Sequence, residues 1–377
     1  MSTVDPDQTR PGDPSGGCDD HGLGKSLDHA DAEPDQHRRR TWLPLAGLAA
    51  VLVSAVALAV PATPPASTPA PTPAPASVPA WVPVPASISA SALPSALPSA
   101  SAPAPAKMVT ARRSTENWTG RPGNFHAANS LTALTIVPAA DATDGRALKL
   151  TLPAYPEPGA AGSAIVASDR LYRYGTFGTR MKTADCTGQD HPGIITGTFT
   201  YSMDHSDTNH NQVTDNDEID IEFLCAQPDV VYLSIWTDYS ETSNNLAEIS
   251  RAINLRTGTV VSTCYILSYG TGCQPLLAGE NTPAAVTPVP GFDSGARFRT
   301  YAFDWQADHV TFTTCDGSGR QIVLWNYRGP ASRIPDRPQA LMQNVTYTKA
   351  WDPLDGPSHN QPTAPISAYL DSTFMPR

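Results

Sequence analysis

The stretch Asp217-Glu218-Ile219-Asp220-Ile221-Glu222-Phe223-Leu224 alternates acidic and apolar side chains. Successive side chains of a β-strand point to opposite faces, so Glu218, Asp220 and Glu222 are predicted to share one face. No basic residue separates these three carboxylates. The other face is apolar and suits a protein core: Ile219, Ile221 and Phe223. The pattern therefore predicts a half-buried strand that presents a row of acids.

Crowding of the three carboxyl groups is expected to raise at least one pKa, so that one group holds a proton near neutral pH. Glycosidic bond cleavage uses such a set, with one carboxylate attacking the anomeric carbon and one carboxylic acid protonating the leaving oxygen. The Cα atoms of Glu218 and Glu222 should lie roughly 13 Å apart, so their side chains must lean together across Asp220. Two alternatives are an edge strand protected by charge and a calcium site.

The chain from residue 107 to residue 377 predicts an all-β fold. Short runs of β-branched and aromatic residues alternate there with Gly, Asp, Asn and Pro clusters, and no long helical period interrupts them. About 270 residues are too many for a small barrel, so a sandwich of two large antiparallel sheets is favoured. The predicted strands are Ala147–Leu152, Gly175–Met181, Gly197–Ser202, Glu218–Leu224, Val230–Thr237, Thr300–Trp305, His309–Thr314 and Gln339–Thr346.

The N-terminal part of the chain predicts three segments before this domain. Residues 1–40 are polar, without an apolar period, and are expected to be a disordered cytoplasmic tail. Residues 41–62 are apolar, follow three arginines and predict a single-pass signal anchor with its N-terminus inside; a cleavable or twin-arginine export signal is the alternative. Residues 63–106 repeat Pro, Ala and Ser and predict a semi-rigid linker. Each version places the domain outside the cytoplasm, anchored to the cell membrane or secreted.

Charge and cysteine content narrow the function classes further. Residues 107–377 hold 20 basic and 27 acidic side chains, so the predicted domain is acidic and argues against nucleic acid as a partner. We expect a monomer that binds a neutral polysaccharide and needs no cofactor. The cysteines suit an oxidising location, with Cys264–Cys273 and Cys186–Cys225 as the expected disulfides and Cys315 left over.

Several stretches resemble glycoside hydrolase family 16 in order and spacing. The segment 217–224 is similar to the active-site motif of that family, and 174–182, 197–201 and 298–305 resemble strands around it. The resemblance implies a jelly-roll sandwich with a concave substrate cleft, and a retaining endo-hydrolase of β-glucan or related polysaccharides. It also implies that Glu218 is the nucleophile, Glu222 the general acid/base and Asp220 the supporting carboxylate. A wall-remodelling transglycosylase of the same fold and a non-catalytic, lectin-like binding module are the alternatives.

The positions expected to bind sugar match the family less well than the carboxylates do. Tyr201, Trp236, Asn344 and Trp351 are the candidate substrate-binding residues, and Asp371 is a candidate ligand of a structural calcium. An acidic residue and an arginine common in mixed-linkage glucanases are missing from 165–167, and Ser234 replaces a common asparagine. The reaction is therefore better supported by the sequence than the identity of the sugar.

Overall fold

The computed structural model describes residues 110–113, 125–128, 133–154, 162–190, 192–202, 215–239, 247–267, 271–347 and 360–376. The predicted tail, signal anchor and linker, residues 1–106, lie outside these ranges. Among the described residues the one helical element is a 3-10 turn, Ala331–Arg333, and no helix there has the length and hydropathy needed to span a membrane.

The described strands form two eight-stranded antiparallel sheets. The first sheet runs β14 (Gln321–Tyr327), β13 (His309–Cys315), β12 (Arg299–Gln306), β6 (Gly175–Lys182), β16 (Ile366–Met375), β4 (Arg146–Leu152) and β3 (Ala133–Pro138), and β1 (Thr110–Arg113) pairs with β16. The second, called here the carboxylate sheet, runs β11 (Thr259–Ile266), β10 (Ala247–Asn254), β9 (Val230–Tyr239), β8 (Asn216–Leu224), β7 (Ile194–Tyr201), β15 (Gln339–Tyr347), β5 (Gly162–Tyr172) and β2 (Phe125–Ala127). The prediction of an all-β fold with two large antiparallel sheets is confirmed.

All eight predicted strands are present, as β4, β6, β7, β8, β9, β12, β13 and β15. The sequence interpretation missed the other eight. Two of these, β10 and β16, contain Ala, Ser, Asp or Asn among their apolar residues, which weakens the local preference for strand. Pairing within the sheet, rather than local propensity, holds such strands in place.

The apolar face of β8 packs into the core between the two sheets. Ile219 and Ile221 are completely buried, and the ring of Phe223 lies 4.8 Å from that of Tyr301 in β12. The aromatic side chains Phe177, Phe303 and Trp305 of the first sheet belong to the same core. Because alternate residues face opposite ways, this packing turns the three carboxylates away from the core, as predicted.

Disulfides tie two parts of the described chain together. Cys186 bonds Cys225 at the end of β8, and Cys264 of β11 bonds Cys273, so both predicted pairings are confirmed. Cys315 is also disulfide-bonded, and none of the described cysteines is free. The prediction that Cys315 is left over is therefore wrong.

Candidate active site

The three carboxylates occupy an inner strand of the carboxylate sheet. Strand β8 pairs with β7 on one side and with β9 on the other, so it is not an edge strand. Glu218 lies opposite Tyr201 and Trp236 in these two strands. An edge strand protected by charge, one of the two alternatives for this motif, is therefore excluded.

Asp220 is the most buried of the three acids and the most hydrogen-bonded. Its Oδ2 accepts hydrogen bonds from the Ser234 hydroxyl at 2.9 Å and from the Trp236 indole N–H at 2.8 Å, and its carboxyl group is also hydrogen-bonded to Glu218. Burial raises the pKa of Asp220 to about 7, although these three hydrogen bonds act to lower it. A hydrogen bond between two carboxyl groups needs a proton, so Glu218 and Asp220 together carry at most one negative charge.

Glu222 has a different environment from the other two acids. It lies opposite Gly197 and Tyr232, is half-buried, and has no hydrogen-bond partner among the described residues. Burial, followed by the negative charges of Asp220 and Glu248, raises the pKa of Glu222 well above its usual range. The surroundings of Glu222 therefore favour its neutral, protonated form.

A fourth acid, Glu248 of β10, faces the same side of the sheet. It pairs with Trp236, and Ser250 two residues later pairs with Ser234. Burial raises the pKa of Glu248 to about 7; a hydrogen bond with Ser250 opposes the shift and the charge of Asp220 adds to it. Sequence reasoning missed this residue, because only the register of β9 with β10 brings it beside the motif.

The start of β8 is fixed by a buried carboxylate outside the row. Oδ2 of Asp217 accepts hydrogen bonds from the backbone N–H groups of Asp336 (2.7 Å) and Arg337 (3.0 Å). The Arg337 guanidinium also pairs with Asp215 at 2.7 Å. Burial raises the pKa of Asp217 to about 7, against these two backbone hydrogen bonds. These contacts join the segment before β15 to the strand that carries Glu218.

The two sides of β8 differ in chemistry. We call one side the acidic half; it consists of the row on β8 and its neighbours on β9 and β10: Glu218, Asp220, Glu222, Ser234, Trp236, Glu248 and Ser250. Register places an apolar cluster on the same face at the other side, which we call the apolar half: Ile165, Ala167, Phe199, Tyr201, Ala340 and Met342. Each member of the apolar half is less than 9% exposed.

Of the predicted substrate-binding residues, one lies in the acidic half and another in the apolar half. Trp236 is half-buried and its indole N–H is used by Asp220, whereas Tyr201 is only 3% exposed within the apolar half. So little exposed surface counts against sugar stacking on Tyr201. Trp351 lies outside the described residues.

Asn344 approaches Glu222 through a gap left by a glycine. Its Oδ1 accepts a hydrogen bond from the backbone N–H of Gly197 at 3.0 Å. A Cβ added at Gly197 would lie 2.9 Å from this Oδ1 and 3.6 Å from Cγ of Glu222. Glycine at position 197 therefore lets Asn344 lie beside the acid row.

Asp371 does not have the surroundings of a calcium ligand. Its Oδ1 accepts a hydrogen bond from the Thr143 backbone N–H at 3.0 Å, and its Oδ2 accepts from the Thr143 hydroxyl at 2.7 Å and from the Arg180 guanidinium. No group of three or more His, Cys, Asp or Glu residues within the described ranges is arranged to hold a metal ion. These contacts do not fit the predicted calcium site.

Comparison with known proteins gives matches to part of this chain. Residues 130–255 match the family model "Glycosyl hydrolases family 16". A beta-glucanase of Paenibacillus polymyxa is 27% identical over 178 residues, which cover 47% of this chain and 50% of that protein. The chain thus spans about half the length of this curated relative. A Bacillus subtilis beta-glucanase is 25% identical over 198 residues, 52% of this chain and 56% of the relative.

Among solved structures, a prokaryotic beta-1,3-1,4-glucanase (lichenase) derived from a mouse hindgut metagenome is 18% identical with a TM-score of 0.42. The match covers 71% of this chain and 99% of that one. The match to the family model includes β8 and all four acids of the acidic half. Residues 130–255 of this chain are therefore similar to glycosyl hydrolases family 16.

Proposed function

We propose that this domain is a retaining, endo-acting glycoside hydrolase that cleaves β-glucan-type polysaccharides by double displacement. The observation that carries the proposal is the unequal environment of three acids on one strand face. The surroundings of Glu222 favour its neutral form without a hydrogen bond to a described residue, whereas Glu218 shares a hydrogen bond with Asp220. A retaining mechanism needs this division between an acid and a nucleophile.

The first displacement forms a bond between Glu218 and the anomeric carbon. As Glu218 attacks, the proton that it shares with Asp220 stays on Asp220, whose deep burial favours the neutral form. Glu222 gives its proton to the leaving glycosidic oxygen, so the leaving chain departs as an alcohol. The contacts thus support Glu218 as nucleophile, Glu222 as general acid and Asp220 as the supporting carboxylate.

The second displacement returns the site to its first state. Glu222, now ionised, takes a proton from water, and the water oxygen attacks the anomeric carbon while the bond to Glu218 breaks. No cofactor or metal takes part in either step. Trp236 and Asn344 lie on the same face, at the two ends of the row, and are the proposed substrate contacts together with Trp351.

The proposal also includes the domain boundaries, the location of the domain and its substrate class. Residues 1–40, 41–62 and 63–106 are the proposed tail, anchor or export signal, and linker, and 107–377 the catalytic domain, acting outside the cytoplasm as a monomer. The disulfides support an oxidising compartment. The curated relatives are beta-glucanases, which supports β-glucan as the substrate class.

Incubation of the domain with a panel of β-glucans, followed by assay of new reducing ends, tests the proposal. We expect net hydrolysis, and its loss in Glu218→Gln. Redistribution of chain length without new reducing ends would identify a transglycosylase instead, which uses the same acids but passes the sugar to another chain. Retention of a glucan without any product would identify a lectin-like module and contradict the proposed hydrolysis.

A further inference from the structure

The carboxylate of Asp371 lies where three segments of the first sheet meet: β6, β16 and the turn between β3 and β4. We propose that the guanidinium group of Arg180 is the structural cation of this junction, and that it takes the place of the calcium ion expected at Asp371 from the sequence. The inference concerns the stability of the first sheet, so it does not depend on the proposed function of the acid row.

A β-bulge in β16 sets the position of Asp371. Leu370 pairs with Met181 of β6 and Ser372 pairs with Arg180, so Asp371 is an extra residue between two paired positions. Such a residue bends its strand and re-aims its side chain. At the same point the partner of β16 on its other side changes, from β4 at Leu370 to β1 at Ser372. The pairing of β16 is therefore interrupted at Asp371 on both sides.

The side chain of Asp371 is completely buried, and both of its oxygens accept hydrogen bonds from other segments. Oδ1 accepts from the backbone N–H of Thr143 at 3.0 Å, and Oδ2 accepts from the Thr143 hydroxyl at 2.7 Å and from Nη1 of Arg180. The same nitrogen of Arg180 donates to the backbone carbonyl of Asp141 at 3.2 Å. One positively charged group thus joins a carboxylate oxygen to a main-chain carbonyl oxygen.

These two oxygens are of the kinds that bind hard cations. Calcium takes carboxylate and main-chain carbonyl ligands at about 2.3–2.6 Å. A calcium ion that bridged the oxygens of Asp371 and Asp141 would therefore lie within about 6 Å of the Arg180 nitrogen that already bridges them. Repulsion between the two positive charges disfavours the ion. Arg180 therefore supplies the positive charge of the junction and opposes the binding of calcium there.

Packing holds the guanidinium group over this junction. The side chain of Arg180 is 18% exposed, and its guanidinium carbon lies 5.4 Å from the centroid of the Phe298 ring. A cation at this distance over an aromatic face is attracted to the ring. Phe298 belongs to a buried cluster with Ala142 of the turn and Ala147 of β4. The guanidinium group is therefore held by contacts with a ring, a carboxylate and a carbonyl.

The ion pair offsets the cost of burying the carboxylate of Asp371. A buried charge is costly unless it is paired and hydrogen-bonded. Removing one partner of a buried ion pair leaves the other charge unbalanced, which destabilises strongly. Because Arg180 belongs to the chain itself, this junction should not depend on calcium for its stability.

Thermal unfolding of the full-length wild-type protein in EDTA and in millimolar calcium tests the replacement directly. We expect the same Tm in both solutions, since the positive charge at Asp371 is part of the chain. A wild-type Tm that falls in EDTA or rises with calcium would overturn the proposal. This comparison needs no variant to fold.

Two substitutions of Arg180 separate its charge from its packing. We expect Arg180→Met to lower the Tm by roughly 10 °C, and Arg180→Lys, which keeps a positive charge, to lower it by roughly half as much. Arg146→Met is the matched control, because Arg146 is an exposed arginine of the same sheet, and its Tm should stay near wild type. Equal losses in the Lys and Met variants would assign the effect to packing and overturn the role as a cation.

Hydrogen exchange at the Thr143 amide gives a local readout of the same junction. This amide donates to Oδ1 of Asp371, so its protection reports whether the turn stays docked on the carboxylate. The exchange rate in the wild type should be the same in EDTA and in calcium, and the rate in Arg180→Met should be faster. Faster wild-type exchange in EDTA, or wild-type exchange in Arg180→Met, would contradict the proposal.

Discussion

The acidic half and the apolar half of the carboxylate sheet share one face but differ in what their side chains do. In the acidic half, burial raises the pKa values of Asp220, Glu222 and Glu248, so the neutral forms of these acids are favoured. In the apolar half, side chains such as Phe199 and Met342 pack against each other and carry no charge. The buried acids of this face therefore lie on the β8 side of β7, and the apolar half packs on the other side.

The largest expected effect is a fall in kcat/KM when the proposed proton donor of the acidic half is removed. Glu222→Gln keeps the shape of the side chain but cannot donate a proton to the leaving oxygen. We expect kcat/KM on a β-glucan to fall by about 10²–10⁴, with an unchanged circular dichroism spectrum. Wild-type kcat/KM in this variant would remove Glu222 from the mechanism.

A substitution in the apolar half should lower stability and leave the pH dependence of activity unchanged. Met342→Ala leaves a cavity at a buried position two strands from β8, so the free energy of unfolding should fall by about 2–5 kcal/mol. The pH dependence of kcat/KM should stay that of wild type. Denaturant unfolding and a pH–rate profile measure the two quantities, and a shifted limb would show that the halves are coupled.

The raised pKa values also predict how stability depends on pH. Asp217, Asp220 and Glu248 have folded pKa values of about 7, above the unfolded values near 4. Between these limits the folded state binds more protons, so stability falls as the pH rises through this window. We expect the domain to be more stable at pH 5 than at pH 7.5 by about 1–3 kcal/mol, measured by denaturant unfolding. Equal stability at the two pH values would contradict the buried, protonated acids.

The smallest effect is expected for a single donor to the acid row. Trp236→Phe removes the indole N–H that donates to Asp220 and keeps an aromatic ring. Stability should fall by about 0.5–1.5 kcal/mol, and the pKa of Asp220 should rise further because a bond to its charged form is lost. Carbon-13 NMR of the Asp220 carboxyl group gives the direction, and a fall in this pKa would contradict the hydrogen-bond pattern.

The sequence predicted what depends on neighbours along the chain. Strand parity placed Glu218, Asp220 and Glu222 on one face, because that inference needs only a strand. The disulfide Cys264–Cys273 was predicted in the same way, because only nine positions separate the two cysteines in the sequence. The resemblance to family 16 added the roles of the two glutamates, which parity alone did not distinguish.

What the sequence missed depends on partners far away along the chain. Glu248 lies on the same face as the acid row only because of the register between β9 and β10. Its position next to the apolar Ile249 suggests a strand, but this local pattern does not show which strand is its neighbour. Arg180 meets Asp371 although 191 residues separate them, so the calcium prediction overlooked the cation already in the chain. Local patterns predict strands and faces, whereas these pairs are set by which strands become neighbours.

The configuration of glycosyl azide products tests the central claim, the separate roles of Glu218 and Glu222, most directly. Glu222→Ala and Glu218→Ala would each be supplied with azide and an aryl β-glycoside of a glucan oligosaccharide, and the products analysed by proton NMR. Azide should attack the covalent intermediate in Glu222→Ala and give the β-azide, and should replace the missing nucleophile in Glu218→Ala and give the α-azide. The opposite assignment of the two products would contradict the account.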